Sequence, residues 1–188
     1  MKKNLSNMMC LDLYLSSLNT EEYKAIKHDI IHEDTKIMPL LCWDVFSQNY
    51  FKTLKQLKRK QDIVKVKALA KKLNWSNNMD TIFEDKAFEA IIITDLNQSI
   101  LWTNDGFTEM TGYSKSYALH KKPNFLQGEK SSADAKQKIR NGLKDIKPFT
   151  AIITNYKKNK TSYQCEVTIF PLFNTKTTHF IALERQVV

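Results

Sequence analysis

The sequence predicts an α+β fold: one five-stranded antiparallel sheet flanked by helices, preceded by an all-α N-terminal extension. Three observations lead there. Up to about Leu73 the apolar residues recur at helical spacing. From Ala87 onward they gather into short β-branched and aromatic runs separated by turn residues. Those runs fall in the order strand, strand, short helices, one longer helix, three strands. The change of texture near residue 78 divides the chain into a helical extension, 1–77, and a sheet-bearing domain, 78–188.

In the extension, Asn19-Thr20-Glu21-Glu22 carries an N-cap and the third-position Glu of a capping box, followed by Tyr23, Ile26, Ile30 and Ile31 at helical spacing. A second helix is expected after Pro39, its stripe running through Phe51, Leu54 and Leu57 and, after a possible break, on to about Leu73. In the second domain, Ala90–Thr94 and Ser99–Trp102 form a hairpin about the turn Asp95-Leu96-Asn97-Gln98. Asn104-Asp105 offers N-caps for a short helix ending at Gly112. Ser131-x-x-Asp134 reads as a capping box opening a helix that reaches roughly Leu143. Three strands follow Pro148, at Phe149–Tyr156, Ser162–Leu172 and Thr178–Glu184, with Lys157-Lys158-Asn159-Lys160 turning between the first two.

At 188 residues, 42% hydrophobic and 26% charged, the chain can bury a core without staples. Only 4 Gly and 4 Pro exclude collagen-like and low-complexity classes, and 3 Cys with no C-x-x-C pair exclude a disulfide scaffold and a recognisable zinc site. The apolar runs are too short to span a membrane, and Asp12 interrupts any signal-peptide core, so the expected location is the reducing cytoplasm. Net charge is +9, and residues 50–72 alone carry nine basic side chains against one acid, Asp62. Lys52, Lys55, Lys58, Arg59, Lys65 and Lys72 make this a basic helical surface suited to an acidic partner. Nucleic acid is disfavoured as that partner, because only one of the nine is Arg, the residue that reads bases bidentately.

Two further patterns resemble functional motifs. His28-Asp29-Ile30-Ile31-His32 sets two imidazoles one helical turn apart, but Asp stands where a zinc protease has its Glu base and no third ligand follows, so no metal site is expected. Ala70, Leu73 and Ser76 loosely echo a helix-turn-helix, with Asp80 where its second helix needs an apolar residue. No nucleophilic triad or phosphate loop is legible, so no catalytic residue is assigned and the chain is not expected to be an enzyme.

A family likeness rests on three segments in sequence. Ile93-Thr94-Asp95 with Ile100 through Ser114 (ILWTNDGFTEMTGYS) resembles the signature of PAS sensory domains. Pro123-Asn124-Phe125-Leu126-Gln127-Gly128 and Asn155 through Lys160 resemble two further motifs of the light-oxygen-voltage (LOV) subgroup. The likeness covers residues 85–185. It implies a PAS fold whose sheet and short helices enclose a small ligand, with Gln127, Asn155, Cys165, Glu184, Trp102 and Phe125 as candidate contacts. In LOV relatives the ligand is flavin mononucleotide and a Cys bonds to it in light. Here Pro123 stands at that Cys, Lys122 and Asn124 replace its Asn and Arg neighbours, Cys165 replaces a second Asn, and Glu184 replaces a Gln near the C-terminus. Proline has no nucleophile, so that bond cannot form at this position. Gln127 and Asn155 keep two readings, ligand contacts or structural ties to the backbone.

The resemblance implies a stand-alone sensory or protein-interaction module acting on a separate partner protein in trans. It also implies a homodimer built through the sheet face and flanking helices, with Trp102, Ile153 or Phe180 at the contact if exposed. Two alternatives are a flavin-binding photosensor or redox protein working without the Cys bond, and a DNA-binding regulator using the basic helices. The cofactor is left open between none, flavin mononucleotide and another small ligand.

Overall fold

The computed structural model describes residues 11–27, 43–84 and 86–187. The chain forms two compact units, Met1–Lys55 and Gln56–Val188. The first holds α1 (Leu11–Ser16), α2 (Thr20–Ile26) and the start of α3 (Trp43–Lys72). Asn19 caps α2 as its spacing predicts: its Oδ1 accepts from the Glu21 and Glu22 amides, and the Asn19 amide donates to Glu22 Oε2 at 3.0 Å. Instead of breaking, α3 runs unbroken for 30 residues. His28, His32 and Cys42 lie outside the described residues.

The second unit begins within α3 and continues through α4 (Met79–Phe83), β1 (Ala90–Asp95), β2 (Ile100–Thr103), α5 (Asp105–Thr111), α6 (Lys115–Ala118), a 3-10 turn at Pro123–Leu126, α7 (Ala133–Asp145), β3 (Phe149–Tyr156), β4 (Ser162–Phe173) and β5 (Thr177–Val187). The change of texture near residue 78 falls inside this unit. All sheet pairings are antiparallel, in the order β2-β1-β5-β4-β3. Both predicted hairpin turns form, each closed by a residue in the left-handed region, Gln98 at φ 65° and Lys160 at φ 67°. Gly112 ends α5 at φ 77°, the left-handed cap that glycine takes without strain. The cap of α7 sits one residue later than the spacing suggested. Ser132 receives the Ala135 amide, while Ser131 is buried, accepting from the Gly128 amide and donating to the Thr154 carbonyl.

Two apolar clusters lie on opposite faces of the sheet. On the inner face Ile92, Ile153, Cys165, Val167 and Phe180 pack with Phe107, Leu126 and other helix residues. On the outer face Ile91, Ile93, Leu172, Ile181 and Leu183 pack with Val66 and Ala70 of α3, Trp75, and Met79, Ile82 and Phe83 of α4. Burial on both sides explains why β1 reads as an unbroken apolar run, Ala90-Ile91-Ile92-Ile93. The segment that loosely echoes a helix-turn-helix is thus the end of α3, a turn and the five-residue α4, and its apolar side chains serve the sheet.

A buried polar joint fixes α3 to the sheet domain. Asn104 Oδ1 accepts from the Ile91 amide at 2.9 Å and the Phe107 amide at 3.0 Å, and its Nδ2 donates to Asp62 Oδ2 at 2.8 Å and to the Glu89 carbonyl at 3.1 Å. Asn104 and Asp62 are both buried. One side chain therefore caps α5, ties β1 and satisfies a carboxylate that would otherwise be costly to bury.

Candidate functional site

Alternation along β3, β4 and β5 decides which side chains meet between the sheet and the short helices. Asn155 is aligned with Tyr163, and Val167 with Glu184, so these residues and Cys165 occupy neighbouring rows on the inner face. Gln127 follows the 3-10 turn and forms a backbone bridge to Asn155, which brings its side chain to the same place. The result is a cavity of about 110 Å³. Gln127, Asn155 and Glu184 line it together with apolar residues such as Ile92, Ile153 and Phe180.

Glu184 is the unusual member. It is 4% exposed, and its Oε2 has no hydrogen-bond partner among the described residues. Burial pushes its carboxyl up from 4.5 to about 7, opposed by a hydrogen bond from the Cys165 thiol. Cys165 is fully buried; burial first, and then the negative charge of Glu184, raises its thiol well above the usual range. It is therefore a packed side chain rather than a nucleophile at neutral pH. The Tyr163 hydroxyl, also buried without a partner, is raised by burial and then by Glu184.

The remaining candidates stand elsewhere. Trp102 would share the inward face of Ile100 by simple alternation. A bulge interrupts the register, with Thr94 opposite Ile100 and Ile93 opposite Trp102, and turns the indole to the outer cluster. Phe125 packs against the inner cluster beside the cavity, edge-on to Tyr113 at 5.1 Å and Tyr117 at 5.6 Å. Ile153 and Phe180, suggested as dimer contacts if exposed, are buried inside, whereas Ile152 on the opposite face of β3 is 54% exposed. Sequence reasoning missed Thr94 and Gln98 as cavity-lining residues, because the turn they flank gives no sign of which way it faces.

The basic surface is partly committed within the domain. Arg59 donates to the Phe83 and Lys86 carbonyls at 3.2 and 2.7 Å and lies over the Phe88 ring at 4.9 Å. Lys58 pairs with Glu109 at 2.7 Å. Lys52, Lys55, Lys65 and Lys72 are exposed.

A flavin does not fit these residues. Pockets for ligands of that size span about 300–1,000 Å³, whereas this one holds about 110 Å³. It also presents a buried carboxyl group, whose Oε2 has no partner among the described residues, from the position where the LOV pattern has a neutral amide.

A sheet that closes short helices over a polar-lined cavity, with a long helix packed on its reverse face, is the architecture of a PAS-type domain. The chain belongs to the PAS domain family, whose sequence profile matches residues 89–185. Over 101 residues it is 33% identical to a blue-light photoreceptor of Listeria innocua, a match covering 52% of this chain and 40% of the relative. Over 105 residues it is 25% identical to a nitrogen fixation regulatory protein of Klebsiella oxytoca, covering 55% of this chain and 21% of that one. The chain thus spans well under half the length of these curated relatives. Its fold is that of the light-state structure of the blue-light photoreceptor Aureochrome1 LOV, with a TM-score of 0.53 at 24% identity over 54% of this chain and 84% of that one. No helix among the described residues is long and apolar enough to cross a membrane.

Proposed function

We propose that the chain is a non-enzymatic PAS sensor of the cytoplasm in which the state of the inner cavity is passed through β5 to α3, and from there to a separate signalling protein. One observation carries this reading. β5 presents Glu184 to the cavity from one face and Ile181 and Leu183 to the α3 and α4 cluster from the other. A charge or ligand that shifts β5 therefore alters the seat of α3 directly. On α3, Leu57 and Val64 are exposed two helical turns apart, at 50% and 65%, flanked by Lys60, Lys65 and Lys71. An apolar seam bordered by lysines suits an amphipathic helix with acidic flanks. Arg59 is engaged by backbone carbonyls, which leaves lysines as the exposed cations and favours a protein over sequence-specific DNA. The test is hydrogen exchange of Gln56–Lys72 at pH 8 in the wild type and in Glu184→Gln. Changed protection along α3 is expected, and identical protection in the two proteins would refute the route.

The names of the photoreceptor relatives suggest a second reading, a flavin photosensor working without the Cys bond, and the small volume of the cavity counts against it. Purified protein that is yellow, with flavin released on denaturation, would put that reading first.

A further inference from the structure

Glu184 poses a problem of chemistry that the fold itself does not solve. A buried carboxylate is ordinarily paired or hydrogen-bonded, yet Oε2 of this one has no partner among the described residues. From every element packed around it the facing groups are neutral or acidic. β4 contributes Tyr163, Cys165 and Val167, β3 contributes Asn155, β1 contributes Ala90 and Ile92, and Glu89 lies just before β1. No Lys, Arg or His lines the cavity.

The space beside the carboxylate has a definite size and polarity. Its volume is about 110 Å³, and an apolar protein cavity of about 150 Å³ accommodates benzene, so this one suits an organic molecule of about five heavy atoms. Its walls are mainly aliphatic, among them Ile139, Leu143, Ile153 and Ile169. The carboxamides of Gln127 and Asn155 also line it, and each can turn an oxygen inward as an acceptor. A ligand for this site needs a short apolar body and a head that only donates. An alkylammonium meets both conditions, with three N–H donors for one carboxylate and two amide oxygens.

We propose that the inner cavity is a binding site for a small primary amine, held as its ammonium ion by Glu184 with Gln127 and Asn155 as secondary acceptors. The proposal rests on the sensor reading above, since it names the ligand class of the same cavity. It separates this chain from flavin-binding relatives: the carboxylate that fits a flavin poorly supplies the countercharge for an amine. Anions of the same shape are excluded by repulsion, and purely apolar molecules leave Oε2 unsatisfied.

The experiment uses the full chain at pH 8 with isobutylammonium as probe, and isobutyrate, xenon and flavin mononucleotide as comparisons. Binding is read by isothermal titration and by the shift in melting temperature. Isobutylammonium is expected to bind saturably, with no binding of isobutyrate or flavin mononucleotide at equal concentration. Glu184→Gln keeps the shape of the side chain and removes the charge, and should weaken isobutylammonium by about tenfold or more. Ala182→Leu, which extends a lining side chain into the cavity, should abolish binding by filling the space. The proposal is overturned if isobutyrate or xenon binds as tightly as isobutylammonium, if Glu184→Gln binds it unchanged, or if nothing binds. Hydrogen exchange on α3 separates this proposal from the signalling route. Binding without a change on α3 supports the amine site and refutes the route; another ligand that binds and alters α3 does the reverse.

Discussion

Replacing Glu184 by Gln should stabilise the protein, and only above a certain pH. The carboxyl titrates at 4.5 when exposed in the unfolded chain and at about 7 when folded, because burial penalises its charged form. A folded-state value above the unfolded one means that the folded protein holds the proton more tightly. The stability linked to that proton is fully present below pH 4.5 and is lost as the pH rises through 7. At 1.36 kcal/mol per pH unit, the gap amounts to about 3 kcal/mol at pH 8. Glutamine fills the same space without a charge and escapes this loss at every pH. Urea unfolding at half-unit steps from pH 4.5 to 8 should therefore show the variant close to wild type at the acid end. At pH 8 it should be more stable by about 3 kcal/mol, or some 6–12 °C in melting temperature for a chain of this size. Since all other titrating groups are shared, the difference between the two curves isolates Glu184. A variant no more stable than wild type at pH 8, or a gap that does not change with pH, would refute the assignment of a buried, unpaired carboxylate.

Asn104→Ala removes four hydrogen bonds and leaves Asp62 buried without its donor. It should cost about 3 kcal/mol or more in urea unfolding, with part recovered by adding Asp62→Ala. Gly106→Ala would drive a Cβ into the Glu89 carbonyl oxygen, forcing α5 away from the segment that leads into β1; a loss of about 1–3 kcal/mol is expected, and an unchanged melting temperature would contradict this packing. Pro123→Cys supplies the thiol absent from the LOV-like segment but enlarges nothing, so illumination in the presence of flavin mononucleotide should leave the flavin absorption band unaltered, and reversible bleaching would reverse the conclusion drawn from cavity size.

The local structure of this protein is written in short-range chemistry. The capping box at Asn19, the turns closed by Gln98 and Lys160, the left-handed cap at Gly112 and the span of β3 each depend on a few adjacent residues, and each forms where the spacing places it. The three family-like segments fixed the fold for the same reason, being local patterns in a set order. What the sequence left open depends on residues far apart in the chain. The bulge opposite Ile93 and Thr94 sends Trp102 to the outer face, which a strand read alone cannot reveal, because inward and outward are defined by its partner. The meeting of Asp62 with Asn104 requires α3 to lie across the outer face of the sheet, so the basic helix became structural cover on one side and exposed surface on the other. Glu184 was legible as a departure from a pattern. The lack of a partner for its Oε2, the size of the space before it and the absence of any cation in the cavity wall were decided only when four strands, the 3-10 turn and α7 closed around it, since burial belongs to the assembled neighbours and not to the residue.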